Sequence, residues 1–594
     1  MSKEEIAWDL SGLFPRPDHK KVQEAKTSIV KRGEKLAKKY QGKITEEYSA
    51  KDVLTLLQEL EEFTSDLRDL GLYARLSFFA NMTLPETKKL HSQVQKISSK
   101  IDKKLAFIEL ALGDLLTKKP GLIDDPILEN YKHHLEKLHR RIPHKLSETE
   151  EQLVIEKDQF GIIGWQQLQS SWLNTREFEV EVEGEKKILS YGEADGLLTH
   201  PDRATRTSAN KSIYGKLSEQ GEIFASALRN IASDWIQMVD RRDYDSSMHQ
   251  SLIVNDVEQQ TVDNLMKAIE DHVELYRRYL TLKAKIMGLE KLGCQDIVAP
   301  LPDAPSMDFT WNEARELVTK AYESFDKDYA QGVKDMFKAN HIDASPRFGK
   351  RNGAFCSRWY NGKTSFILQT FTGSLRNVYT LGHELGHATH NYYASREQTL
   401  FNTRAPMVVA ETASIFGELL LTDLLLKEAE SDDEKKAILC RVLDGAGMAI
   451  FQVSARVWFE KSLYEAIDNE EYLDFGTISK YWTAGRDKIY GEVVKWFEEL
   501  DGEWTMKPHY YMPNFRFYNY PYVFGQLFVY ALYQKYQEQG ASFIPKLKEA
   551  LAAGGSLSPK EIGEIFGLDI SDPEFWKLGM KQYEFFVEEL EKLV

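Results

Sequence analysis

Residues 380–391 read TLGHELGHATHN. On an α-helix His383 and His387 stand one turn apart and about 40° apart around the axis, so two imidazoles can reach one cation. Glu384 falls on the next spoke, too far round to be the natural third ligand and well placed beside a water on that cation. Two histidines that hold zinc, with a glutamate that takes a proton from the water, are the chemistry this HExxH spacing serves. Chance alone yields the pattern roughly a few times per hundred chains of this kind. It therefore needs support from elsewhere in the sequence.

A catalytic zinc site needs a third protein ligand and an open fourth position. Six residues after His387, where a third histidine would complete another common arrangement, stands Tyr393. The alternative is a glutamate on the next helix. Residues 406–426, PMVVAETASIFGELLLTDLLL, read as one largely buried helix whose first carboxylate is Glu411. An acid among Ala410, Thr412, Ala413 and Ile415 is costly to bury unless it binds a cation or is otherwise paired. A helix cap or a salt bridge is the competing role for it. Gly382 and Gly386 on one helix, and Ala410, Ala413, Ser414 and Gly417 on the other, would let the two backbones approach closely. His390 lies on the face of His387 and reads as a hydrogen-bonding or packing residue. Glu418, two turns beyond Glu411, either orients a ligand histidine or makes an ion pair on the helix surface.

Outside this region the chain sets broad bounds. Its 594 residues exceed what one hydrophobic core usually supports, so two or more lobes are expected. A formal net charge of -16 argues against nucleic acid or an anionic membrane as the main partner. Cys294, Cys356 and Cys440 are scattered and odd in number, which suits a reducing, cytoplasmic setting rather than a disulfide framework. The opening MSKEEIAWDL has charges where a signal peptide needs an apolar run. The uncharged stretch 517–534 holds Asn519, Pro521 and several tyrosines, a polar load unlike that of a spanning helix.

Residues 1–175 show helical periodicity throughout, as in Leu54, Leu57, Leu60 and Phe63. At 177–189, Phe178, Val180 and Val182 alternate with glutamates around Gly184, which predicts a β-hairpin. The hairpin is read as the end of an N-terminal lobe, residues 1–190, with the catalytic region spanning 191–594. Helical periodicity resumes from about Arg203 to Lys291. Residues 298–307 form a proline-bearing loop, and a short polar loop covers 349–353. The run 364–371, TSFILQTF, is β-prone and ends in Thr372-Gly373-Ser374, a turn into the metal-binding helix. That run either offers a strand edge to a substrate backbone or is a central strand with no such role. Ser558-Pro559-Lys560-Glu561 restarts a helix with a capping box and Pro at its first position.

With HELGHATH and Glu411-Thr412-Ala413-Ser414 in view, the sequence resembles the oligoendopeptidase F branch of the M3, thimet oligopeptidase-like, zinc metallopeptidases. The resemblance runs from Trp8-Asp9-Leu10-Ser11 through His200-Pro201-Asp202-Arg203 and Gly349-Lys350-Arg351-Asn352-Gly353-Ala354 to Gly554-Gly555 and Asp572-Pro573-Glu574-Phe575-Trp576. It implies a mainly α, two-lobed zincin-type fold with a deep central channel and a small β element next to the HExxH helix. It also implies an endopeptidase that cuts internal bonds of short, unfolded oligopeptides, with one Zn2+ per chain held by His383, His387 and Glu411 and with Glu384 as general base. Residues 507–526, KPHYYMPNFRFYNYPYVFGQ, resemble the family's tyrosine-rich loop. By position His509 and Tyr520, with Tyr518 behind them, match the groups that stabilise the oxyanion. Phe517 stands where the thimet type commonly has tyrosine, and no glycine-rich run separates the histidine from the tyrosines. No nucleic acid, membrane or obligate protein partner is expected.

Two rival readings use the same residues. Glu384–His387 and Glu136–His139 are both ExxH pairs, as in carboxylate-bridged di-iron proteins, but Glu136 sits among Lys137, Arg140 and Arg141 and His383 would be left without a role. A non-catalytic zinc protein would usually supply four ligands, often cysteine, where this chain offers three and keeps the candidate base.

Overall fold

The apolar three- and four-residue steps of residues 51–116 fold as two long helices, Ala50–Ala80 and Pro85–Lys118, packed with Lys20–Tyr40. Ser49 and Asp52 close a capping box at the start of Ala50–Ala80. Val22, Ile29, Phe63, Leu70, Tyr73, Leu90, Val94 and Ile101 interlock between the three helices. The computed structural model describes residues 5–302, 305, 307–513 and 515–594, which fall into two compact units. The expected loop at 298–307 lies outside the described residues at 303, 304 and 306.

One unit comprises Met1–Ile142, Met307–Leu424 and Lys535–Asp569. Besides the N-terminal helices it holds a three-stranded sheet and the HExxH helix Leu375–Glu397. The strand Thr364–Leu368 is central, parallel to Ile342–Asp343 and antiparallel to Phe355–Trp359. The β-prone run is thus flanked on both sides, and the edge reading passes to Phe355–Trp359. Trp8, Leu72, Leu76, Phe366 and Leu368 tie the sheet to the helical bundle. Beneath the sheet, the buried Lys350 ammonium reaches the Asp343 carboxylate at 2.7 Å and donates to three main-chain carbonyls, of Asp343, Ser345 and Gln369. Asn391, on the HExxH helix, donates to Ser365 Oγ at 3.0 Å and accepts from Arg358 Nε at 2.7 Å, fastening helix to sheet.

The second unit comprises Pro143–Ser306, Leu425–Gln534 and Ile570–Val594. Its hairpin pairs Glu177–Val182 with Glu185–Ser190, with Val182 opposite Glu185. Glu183 (φ 51°) and Gly184 (φ 87°) both take the left-handed backbone that a two-residue hairpin turn demands. The boundary expected at residue 190 does not coincide with either unit. The hairpin bonds to the helix Arg203–Glu219, Glu181 N–H to Ser208 Oγ at 2.8 Å and Glu183 N–H to Thr205 Oγ1 at 3.0 Å. It is therefore internal to the second unit, and chain continuity was a poor guide to packing. Buried pairs pin this unit too: Asp296 accepts from Arg203 and Arg206, and Lys283 meets Asp444 at 2.7 Å. Among the described residues one helical run, Asp432–Asp468, is long and apolar enough to cross a membrane, a test that a buried core helix also passes.

The C-terminal expectations hold. Ser558 and Glu561 form the capping box with Pro559 in the first turn, and Asp572 caps the final helix, Pro573–Glu591.

Candidate functional site

The HExxH helix begins where Ser374 caps it, its side chain accepting from Asn377 N–H. The next helical segment is not the single helix read from residues 406–426. Met407–Ala410 forms one turn, Glu411 interrupts it, and Thr412–Glu428 continues. Hydroxyl groups compete for the backbone here: Thr412 Oγ1 donates to the Val409 carbonyl at 2.7 Å, and Ser414 Oγ lies 3.0 Å from the Glu411 carbonyl and 2.6 Å from Glu411 Oε2. The break turns Glu411 out of the helix row and towards the histidines.

Gly386 makes the approach possible. A Cβ there would lie 2.4 Å from the Ala413 carbonyl oxygen and 2.4 Å from Ser414 Cα. Glu411 Oε2 comes to 3.4 Å from His383 Nε2 and 3.3 Å from His387 Nε2. Ligand atoms on a tetrahedral zinc ion with bonds of about 2.05 Å stand about 3.3 Å apart, so the three residues present fit such an ion. Among the described residues this is the one group of three or more histidine, cysteine or acidic side chains so disposed. A second metal position of the di-iron kind is not among them.

Glu418 takes the orienting role. Its Oε1 lies 2.6 Å from His383 Nδ1, and since a carboxylate only accepts, that nitrogen carries a proton and Nε2 is the ring atom that faces Glu411 and would bind an ion. Three carboxylates, of Glu384, Glu411 and Glu418, thus surround two imidazoles. Burial opposes charge on His383, but the bond to Glu418 and the neighbouring acids outweigh it and raise its pKa to about 9. Burial pushes Glu384 up to about 7, with Glu411 and Glu418 adding to the effect and His383 opposing it. Burial also favours the neutral His387 ring, while Glu411 stays below the usual carboxylate range because His387 and His383 outweigh its own burial. The local surplus of negative charge is what a divalent cation would neutralise.

His390 is buried and bonded to the Ala410 backbone, and burial drives its pKa down to about 3. It braces the segment ahead of Glu411 and lies outside the ligand cluster. Glu384 and His387 line a cavity of about 850 Å³ within the same unit, walled by the strand Phe355–Trp359 and by arginines that the sequence did not single out.

The tyrosine-rich segment belongs to the second unit. Asn519 Nδ2 donates to His509 Nε2 at 3.0 Å, which leaves the ring proton on Nδ1, and burial lowers the ring's pKa to about 3, so it is a neutral donor. The Tyr518 and Tyr522 hydroxyls bond to each other. Tyr520 is fully buried, and its hydroxyl donates to the Ser251 carbonyl at 3.1 Å. The expectation that Tyr520 serves an oxyanion requires that this bond be exchanged. Tyr522, partly exposed beside Tyr518, is the tyrosine that reading by position passed over.

A mainly helical protein with HExxH on one helix and a glutamate from the next converging on the same point is a metallopeptidase in its design. Comparison with known proteins supplies the family. The profile of Peptidase family M3 matches residues 197–582, and that of Oligopeptidase F matches residues 103–175. The chain belongs to peptidase family M3. It is similar to Oligopeptidase PepF of Bacillus subtilis (26% identity over 100% of this chain and 88% of the relative). It is also similar to an oligoendopeptidase F homolog of Lactococcus lactis (27%, over 100% and 98%). A crystal structure of a peptidase from Chlamydophila abortus shares the fold at a TM-score of 0.88 and 23% identity, covering 99% of this chain and 98% of that one.

Proposed function

We propose that this metallopeptidase is a zinc-dependent endopeptidase that hydrolyses internal bonds of short, unfolded oligopeptides. The observation that carries the reading is the meeting of His383 Nε2, His387 Nε2 and Glu411 Oε2 at the spacing of zinc ligands, with Glu384 alongside. The preference for oligopeptides draws on the names of the relatives and on the family profiles.

His383, His387 and Glu411 would hold the ion, which when bound supplies Lewis acidity for the scissile carbonyl and acidifies the attacking water. The Glu384 carboxylate accepts a proton from that water and returns it to the departing amine nitrogen. Glu418 keeps His383 in the tautomer that presents Nε2. His509 through Nδ1–H and Tyr518 through its hydroxyl are the proposed oxyanion donors, with Tyr520 holding the helix Tyr520–Gln539 behind them. The main chain of the edge strand Phe355–Trp359 is suited to pair with an extended substrate backbone, which makes cleavage tolerant of sequence. A cytoplasmic setting completes the proposal, since Cys294, Cys356 and Cys440 are all free thiols.

The test is cleavage of a quenched fluorescent peptide library, with products mapped by mass spectrometry, before and after chelation and with Glu384→Gln. Chelation should abolish turnover and added Zn2+ restore it. Glu384→Gln should retain the metal and lose about 10³-fold or more in kcat. Unchanged cleavage by that variant removes Glu384 from the chemistry, and products clipped only at termini would end the endopeptidase reading.

A further inference from the structure

Five arginines, Arg68, Arg75, Arg351, Arg358 and Arg404, line the cavity that Glu384 faces. They come from three separate stretches of one unit: the helix Ala50–Ala80, the edge strand with the loop before it, and the segment ahead of Glu411. Among the described residues none of the five is ion-paired with an aspartate or glutamate. Arg75 donates to Ser357 Oγ at 3.1 Å, Arg358 to Asn391 Oδ1 at 2.7 Å, and Arg351 lies over the Phe79 and Phe355 rings at 4.4 and 5.2 Å. Glu61 acts on Arg68 only at a distance, its own oxygens being taken by the Tyr131 hydroxyl and the Phe401 N–H.

The chain carries 92 acidic residues against 76 lysines and arginines, yet among the described residues none of those acids closes on the five. Other buried or half-buried arginines do find carboxylates: Arg203 and Arg206 share Asp296, Arg242 meets Glu151, Arg278 meets Glu591 and Arg347 meets Asp343. Around the cavity they face one another instead. Burial, with Arg68 and Arg404 adding to it, lowers Arg358 to about 10, still charged at neutral pH. Burial and then Arg404 act on Arg68 in the same direction, as burial and then Arg351 do on Arg75. Like charges gathered in a partly desolvated wall repel, and an anion entering there relieves the repulsion. Arg68, Arg75, Arg351 and Arg404 are solvent-exposed, so the guanidinium forks are accessible to a ligand. Guanidinium forks match carboxylate geometry, two N–H groups to two oxygens.

We propose that this arginine-lined cavity is an anion subsite that selects peptides presenting a carboxylate close to the bond to be cut. The inference rests on the peptidase reading above and narrows its substrates. The carboxylate has two sources in a peptide, the C-terminal α-carboxylate and an Asp or Glu side chain, and both present the same planar anion. The pocket also serves a second end. A substrate carboxylate near Glu384 would be repelled by it, and the arginines hold that charge against their own wall.

The metal-loaded, full-length enzyme is assayed on four quenched peptides with one neutral core. They end in a free acid or an amide, and each carries Glu or Gln near the cleaved bond. Removing the recognised carboxylate should lower kcat/KM by at least about tenfold, mostly through KM. In Arg68→Gln/Arg404→Gln, and separately in Arg358→Gln, the preference ratio should shrink to about threefold or less. Arg358 also anchors Asn391, so Arg358→Lys is included, and it should retain more of the preference than Gln does. A ratio carried by acid over amide assigns the subsite to the C-terminus, and one carried by Glu over Gln assigns it to a side chain. Equal kcat/KM on all four peptides overturns the subsite alone, as does a preference that survives unchanged in both glutamine variants. No cleavage of any peptide overturns the peptidase reading and the subsite with it.

Discussion

The two regions assigned to catalysis are built on opposite plans. Around His383 and His387 regular helices pack closely enough to exclude a single methyl group at Gly386, and the acids Glu384, Glu411 and Glu418 exceed what two imidazoles can balance. Beyond the short helical turn Pro508–Tyr511 the described part of the segment from Lys507 to Asn519 is irregular, with His509 and Asn519 bonded to each other and Tyr510 bonded to the Arg456 carbonyl. Phe517 adopts a left-handed φ of 49°, a conformation costly for a bulky residue, held by its N–H bond to Glu460 at 2.7 Å. The Tyr518 and Tyr522 hydroxyls are bonded to each other, and the Tyr520 hydroxyl is bonded to Ser251. The first region is preorganised with more acids than imidazoles, whereas the second is preorganised around its own hydrogen bonds. A donor in the second region can serve chemistry only if its bond is exchangeable, and that separates Tyr518 from Tyr520.

Tyrosine-to-phenylalanine substitutions test this separation most sharply. Tyr518→Phe should lower kcat by about 10²–10³, the effect of removing one oxyanion donor, with KM little changed. Tyr520→Phe should keep kcat within about threefold and reduce stability by about 1 kcal/mol, the loss of one buried hydrogen bond. The reverse ranking would dissolve the contrast. On the metal side, Glu418→Gln should weaken Zn2+ affinity about 10–100-fold, because an amide no longer enforces the Nδ1–H tautomer of His383. Competition with a chromogenic chelator reads this directly, and an unaltered affinity would reduce Glu418 to a bystander.

Gly386→Ala addresses packing rather than charge. Its Cβ meets the backbone of Ala413 and Ser414, so the Thr412–Glu428 helix must move, at about 1–3 kcal/mol of stability and with loss of zinc affinity. Thermal unfolding with and without Zn2+ measures both, and a variant that binds the ion normally would show that the close approach is incidental. The smallest effect concerns Glu460, buried under the loop. Burial raises its pKa from 4.5 to about 7, against the bonds from Phe517 and the charge of Arg516. Between those values the folded protein keeps a proton that the unfolded chain has released, so stability contributed by the protonated acid is lost as pH rises through that window. Glu460→Gln is neutral throughout and keeps an oxygen for Phe517 N–H. Its melting temperature relative to the parent should therefore rise by a few degrees between pH 5 and pH 8. A relative fall over the same interval would reverse the assignment.

What could be read from residues alone follows from how each feature is encoded. His383, Glu384 and His387 are adjacent on one helix, so their geometry follows from 3.6 residues per turn. The hairpin at 177–190 is equally local, its turn set by Glu183-Gly184 and its faces by alternation. Glu411 was reachable because a carboxylate in an apolar run, opposite glycines, asks for a partner. Its break in the helix was hidden, since Thr412 and Ser414 hydroxyls bond there to the carbonyls of Val409 and Glu411. Glu418 was open to two roles until His383 was seen 2.6 Å away.

The arginine cavity and the course of the two units left no trace of that kind. Arg68, Arg75, Arg351, Arg358 and Arg404 have no periodic relation, and each unit gathers three distant stretches of chain. Likewise Tyr518 and Tyr520 stand two residues apart, yet Tyr520 is buried with its hydroxyl on the Ser251 carbonyl while Tyr518 bonds to the Tyr522 hydroxyl. Sequence by itself determined the helical character and the placing of the candidate ligand pair and candidate base, because each is a matter of near neighbours and fixed helical pitch. Tertiary structure alone decided which charges stay unmatched and which donors stay available, because both depend on groups that only folding brings within a few ångströms of one another.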